Sequence, residues 1–175
     1  EEIGAYSFRG CKFLKRAEVP STVKSIGSFA FCLCEKLKGV ELSEGLQQIR
    51  DGAFNSCISL EIVKVPSTVK EIADYSFSRC HQLKTVEISD GIEKIDKCAF
   101  ANCYSLRNLV IPPNAQEMKG CFETGCHDLI KLFGSDAMIL DSLKCRFYRL
   151  LPIHKLCYHQ SHHPTETVTD QMKSM

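Results

Sequence analysis

The side chains in this chain that could do chemistry are its thiols and imidazoles. There are 11 cysteines and 6 histidines. Near the C-terminus His154, Cys157, His159, His162 and His163 crowd one short stretch, and His159 and His163 are four residues apart. On a helix that spacing would put two imidazoles on one face, as a zinc site requires. The pattern stops there. No C-x-x-C pair supplies the other ligands, and Cys145 is the only nearby thiol. A Cys–His nucleophile would need an orienting third group and an oxyanion site, and no such constellation is visible. The glycine-rich phosphate loops G-x-x-x-x-G-K-[ST] and G-x-G-x-x-G are also missing. The expectation is therefore a chain that is not an enzyme and has no catalytic, cofactor-binding or metal residues.

The remaining cysteines have a different logic. Cys11, Cys34, Cys57, Cys80, Cys103 and Cys126 recur every 23 residues. Three residues before the first five stand Phe8, Phe31, Phe54, Phe77 and Phe100, each preceded by Ser or Ala. Leu14, Leu37, Leu60, Leu83, Leu106 and Leu129 follow the cysteines. Ile3, Ile26, Ile49, Ile72, Ile95 and Met118 form a further column. A unit this short cannot enclose a core, so the units must stack and merge their apolar faces. The V-x-V portion, as at Val63–Val65, has period two and predicts a short strand. Ile26, Ala30 and Cys34, four apart, predict a helix of about two turns. The cysteine column is then a small apolar filler of the helix side. Disulfides between rungs are not expected, because helical coils spread too widely for them.

A second period lies over the first. VPSTVK occurs at 19–24 and again at 65–70, while SEG at 43–45 and SDG at 89–91 occupy the alternate units. This points to duplication of a two-unit block. Gly45 and Gly91 suit turns of positive φ, and Pro20 and Pro66 fix φ near −65°.

Two stretches carry a family resemblance, IGSFAFCLCEKLKGVEL at 26–42 and IADYSFSRCHQLKTVEI at 72–88. They resemble the BspA-type leucine-rich repeat, I-G-x-x-A-F-x-x-C-x-x-L-x-x-[VI]-x-[VIL]-P, with Ala73 for the glycine and Ser43 and Ser89 for the proline. The resemblance covers about residues 1–135. With the repeat, it predicts an α/β leucine-rich-repeat solenoid, right-handed, of about six units, with parallel strands on one face and short helices on the other. Residues 136–175 are expected to form a helical cap. Within it, Pro152, Ile153 and His154 resemble the P-L-H of an ankyrin-type unit.

Between the inward columns lie two outward rows, which on a sheet would form one face. Arg16, Glu18, Glu41, Ile62, Lys64, Thr85, Glu87, Asn108 and Val110 are the candidate protein-binding residues. Lys131 and Phe133 continue the rows. A net charge of +1 provides no field for nucleic acid. No apolar run approaches the ~20 residues of a membrane-spanning helix. The partner is therefore expected to be a protein, with no cofactor. Unpaired thiols suggest a cytoplasmic scaffold, and the BspA-type resemblance implies surface adhesion for some members. The first residue is Glu1 and no charged-then-apolar leader follows it, so the chain reads as excised from a longer one.

Overall fold

A computed structural model describes residues 1–112, 115, 117–118 and 131–133. The expected helical cap, the ankyrin-like unit, the 135/136 boundary and the His159–His163 stretch lie outside the described residues.

Twelve strands alternate along the described residues: β1 (Glu2–Ile3), β2 (Arg16–Val19), β3 (Ser25–Ile26), β4 (Gly39–Leu42), β5 (Gln48–Ile49), β6 (Ile62–Val65), β7 (Glu71–Ile72), β8 (Thr85–Ile88), β9 (Lys94–Ile95), β10 (Asn108–Val110), β11 (Glu117–Met118) and β12 (Lys131–Phe133). Each coil contributes one two-residue strand and one longer strand. Odd-numbered strands form a six-stranded sheet in sequence order, and even-numbered strands form a second. All pairs are parallel and in register, as in Ile26↔Ile49 and Val63↔Val86. Between β4 and β6 only Gly39 and Ile62 are paired. The molecule is a β-solenoid with two parallel sheets, where one sheet and a helical face were expected.

The predicted helices are replaced. Among the described residues no segment is helical, and I-x-x-x-[AS]-F-x-x-C forms a string of turns. In each turn string alternate N–H groups divide their bonding. Ser7, Arg9 and Cys11 donate back three residues, to Gly4, Tyr6 and Phe8. Tyr6, Phe8 and Gly10 donate across to the carbonyls of Ser28, Ala30 and Cys32 in the next coil. The same triplet joins the second coil to the third, the third to the fourth and the fourth to the fifth. The cause is spacing. Stacked Phe rings lie 5.0–5.4 Å apart, matching the ~4.8 Å between paired strands, whereas a helix needs ~10 Å of width. The turn side therefore does not spread, contrary to the sequence-based expectation. Ile26, Ala30 and Cys34 do share an inward face, by a different backbone path.

That path needs left-handed residues. Tyr6, Phe29, Gly52, Tyr75 and Cys98 form one column of positive φ, and Gly10, Leu33, Ser56, Arg79 and Asn102 a second, all between 55° and 72°. None is β-branched, the class most strained there.

The core holds the predicted columns. Phe31, Phe54, Phe77 and Phe100 are buried, with the Ile, Leu and Val columns packed against them. Cys34, Cys57, Cys80 and Cys103 are fully buried. Each thiol donates to the carbonyl of a Phe one coil back: Cys34 to Phe8, Cys57 to Phe31, Cys80 to Phe54 and Cys103 to Phe77, at 3.1–3.3 Å. The cysteines are thus donors as well as filler. No buried side-chain polar atom among the described residues lacks a partner.

The turns explain the double period. A Cβ on Gly45 would collide with the carbonyl oxygen of Ser21, and one on Gly91 with that of Ser67. Both glycines also have φ above +100°, at 112° and 135°, where side chains are excluded. Each PST turn presses its serine carbonyl onto the next coil's turn, so a PST unit requires a glycine unit after it. The reverse boundary uses side chains. Glu44 accepts from the Ser67 N–H at 3.2 Å and from its hydroxyl at 3.0 Å, and the Gly45 N–H donates to Thr68 Oγ1 at 2.9 Å.

Candidate interaction surface

The in-register pairing of β2, β4, β6, β8 and β10 brings the predicted outward residues onto one face. Parallel strands place equivalent residues side by side, giving two rows: Arg16, Gly39, Ile62, Thr85, Asn108, and Glu18, Glu41, Lys64, Glu87, Val110. Arg16, Glu18, Glu41, Ile62, Lys64, Asn108 and Val110 are exposed, while Thr85 and Glu87 are half-buried. The backbone of Lys131 and Phe133 continues the sheet; their side chains lie outside the described set.

Register creates a conflict on this face. Glu18 and Glu41 are direct partners, and like charges opposite each other destabilise a sheet. Arg16 relieves it by reaching diagonally to Glu41, Nη2 to Oε1, at 2.7 Å. Two coils further on, Lys64 pairs with Glu87 at 3.0 Å. Exposed pairs of this kind contribute about 0.2–1 kcal/mol each. Between the two pairs, Ile62 is half exposed beside Gly39, which has open space where a side chain would stand. The face is flat, with a small apolar centre and paired charges around it.

Several exposed groups escaped the sequence-based reading. Tyr6, Leu33, Tyr75 and Tyr104 stand on the turn side, where a helical reading gave wrong orientations. Tyr6 stacks on Phe29 at 5.6 Å and carries Arg9 over its ring. His81 is half-buried and stacks on Tyr104 at 4.9 Å. On the short sheet a shallow cleft of about 250 Å³ lies among Gln48, Arg50, Asp51 and Glu71. Two of its charges are engaged: Arg50 with Glu2 at 3.1 Å, and Glu71 with Lys94 at 2.9 Å. Asp96 and Glu71 together hold the Lys94 ammonium well above its ordinary range.

Four of the buried thiols are held away from the nucleophilic form. Burial pushes the Cys34 thiol up to about 11, and raises Cys32, Cys57 and Cys80 as well. A thiol is reactive as its thiolate, so these are chemically quiet. Among the described residues no three His, Cys, Asp or Glu side chains are grouped to hold a metal.

Parallel coils, a Phe stack and a thiol-to-carbonyl ladder define a leucine-rich-repeat solenoid. The chain belongs to the BspA-type leucine-rich repeat family, whose repeat region matches residues 1–130 in six copies. Solenoids of this kind are generally not enzymes. No curated protein sequence matches it significantly. Among solved structures, the Treponema pallidum leucine-rich repeat protein TpLRR is 30% identical with a TM-score of 0.66, over 77% of this chain and 64% of that one. A Bacteroides ovatus leucine-rich repeat protein is 29% identical with a TM-score of 0.65, over 75% of this chain and 34% of that one. The pneumococcal vaccine antigen PcpA, 23% identical with a TM-score of 0.65, shares the fold over 81% of this chain and 35% of its own. The chain thus spans about two thirds of the first relative and about a third of the others.

Proposed function

We propose that this chain is a non-catalytic binding module that engages a protein partner across the outer face of the long sheet, at a cell surface. The observation that carries this is the Ile62–Gly39 centre, a flat apolar spot framed by the Arg16–Glu41 and Lys64–Glu87 pairs. Interfaces are commonly built this way, with an apolar centre and a polar rim. Membership of the BspA-type family, with the surface adhesion its resemblance implies for some members, favours a surface setting over a cytoplasmic scaffold.

The cytoplasmic expectation rested on unpaired thiols, and the structure weakens that premise. Cys32, Cys34, Cys57, Cys80, Cys98 and Cys103 form no disulfide and are buried, and only Cys11 among the described cysteines is exposed. Thiols sealed in a core persist in either redox setting.

The test has two arms. Membrane-impermeant labelling of intact cells should modify the protein; exclusive labelling after lysis would refute the surface setting. Partner capture should be lost in Ile62→Asp and weakened in Glu41→Lys, with circular dichroism and urea midpoint unchanged. Capture unaffected by both changes would remove the sheet face from the reading.

A further inference from the structure

One edge of the long sheet concentrates positive charge that the net charge of +1 conceals. Just before β2, β4, β6, β8 and β10 the chain places Lys15, Lys38, Glu61, Lys84 and Arg107, one per coil. Their backbones are joined in series. The Lys38 N–H donates to the Lys15 carbonyl, Glu61 to Lys38, Lys84 to Glu61 and Arg107 to Lys84, at 2.8–3.1 Å. The five therefore form one ladder along the solenoid axis, with a step of ~4.8 Å. Lys38, Lys84 and Arg107 belong to internal coils and are exposed, as is Lys15.

The charges on this ladder are not balanced within it. Four other columns set opposite charges on adjacent coils: Lys12–Glu35, Lys64–Glu87, Lys70–Glu93 and Glu71–Lys94, at 2.9–3.4 Å. Here Lys15 adjoins Lys38, and Lys84 adjoins Arg107. Like charges side by side on a sheet are unfavourable. Among the described residues neither Lys15 nor Lys38 forms an ion pair. The ladder's single carboxylate, Glu61, bonds Lys84 at 3.0 Å. That bond, and the charge of Lys38 beyond it, hold Glu61 below the ordinary carboxylate range. Four cations against one carboxylate leave the edge short of negative charge, and a linear polyanion lying along the axis would supply it.

The neighbouring column selects among polyanions. Beyond one inward leucine in each coil stand Lys36, Ser59, Gln82 and Ser105. They offer one further cation, two hydroxyls and an amide, groups that hydrogen-bond sugar hydroxyls. Single-stranded nucleic acid is held by aromatic rings on which bases stack, and these four positions carry none. Tyr104, next to Ser105, is already stacked on His81 at 4.9 Å. Duplex DNA carries a phosphate every ~3.4 Å along each strand, out of step with coils ~4.8 Å apart.

We propose that this edge, Lys15, Lys38, Lys84 and Arg107 with Ser59 and Gln82 beside them, binds a linear acidic polysaccharide laid along the solenoid axis. The site is separate from the protein-binding face proposed above. Glu61 sets its strength by competing with the ligand for Lys84.

The experiment measures binding of the full chain to a heparin oligosaccharide by fluorescence anisotropy at several salt concentrations. Log affinity should fall linearly with log salt. Lys38→Glu combined with Lys84→Glu should weaken binding by about tenfold or more and flatten the salt slope. Lys64→Glu combined with Lys70→Glu makes the same change in net charge away from the ladder, and should leave affinity within about twofold of the parent. Glu61→Gln should tighten binding, because it releases Lys84; a misfolded variant cannot mimic that gain. Equal losses in the two double variants would reduce the effect to net charge and overturn the proposal. So would the absence of tightening in Glu61→Gln, or a parent chain that binds poly-glutamate or single-stranded DNA of matched charge more tightly than heparin.

Discussion

Phe54 is enclosed by Phe31 on one side and Phe77 on the other, both rings 5.2 Å away and within 6° of parallel. Phe54→Ala removes a fully buried side chain and two stacking contacts. It should cost about 3–5 kcal/mol in urea unfolding, in the range of buried Phe truncations. Phe8→Ala, at a partly exposed ring stacked on Phe31, should cost clearly less; equal losses would mean that position along the stack is irrelevant. The thiols make a separate prediction. Cys34 has its ordinary pKa of 9.0 raised to about 11 by burial. Below pH 9 both folded and unfolded states hold the proton, and its contribution is fully present. Above pH 9 the unfolded thiol ionises while the folded one stays protonated, so stability falls as pH rises through 9 toward 11. The urea midpoint should decline from pH 8 to pH 10.5, with a shallower decline in Cys34→Ala. A flat profile in the parent chain would contradict the burial of these thiols.

At the scale of the element, the turns carry the most specific chemistry. Gly91→Ala places a methyl against the Ser67 carbonyl at a φ of 135°, and should cost about 1–3 kcal/mol from backbone strain alone. Gly39→Ala, in a strand and with nothing within 4 Å of its added carbon, should be neutral. Comparable urea midpoints for the two variants would show that the turn contact is not tight. These elements were unequally legible in the sequence. The inward columns, the strands of V-x-V type and the need for glycine at 45 and 91 could all be read from residue type and period. The turn string could not, because a four-residue recurrence of Ile26, Ala30 and Cys34 fits a helix equally well. What separates the two is the distance between coils, a tertiary quantity. A local trace existed in the columns at positions 6 and 10 of each unit, which avoid Val, Ile and Thr. The short sheet was hidden because two residues per coil show no alternation. The sheet-face residues were legible as a set, since register alone places them, but their pairing was not: Arg16 bonds across to Glu41 through side-chain reach.

For the whole molecule, stability should vary along the axis. Each coil touches only its neighbours, so an internal coil has two stabilising interfaces and the first coil has one among the described residues. The turn-string amides report this directly, because Tyr6, Phe8 and Gly10 of the first coil and Gly52, Phe54 and Ser56 of the third make the same kind of bond to the next coil. Their local chemistry is matched, and their surroundings are not: Phe8 is partly open to solvent and Phe54 is sealed. Native-state hydrogen exchange should therefore show the third-coil triplet protected at least tenfold more than the first-coil triplet, with the second coil between them. In a polypeptide of residues 1–175 the first coil opens by breaking its interface with the second, while the third opens only by breaking two or by unfolding the array. Equal protection in all three triplets would mean that the solenoid opens as one unit, and that the nearest-neighbour account of its stability fails.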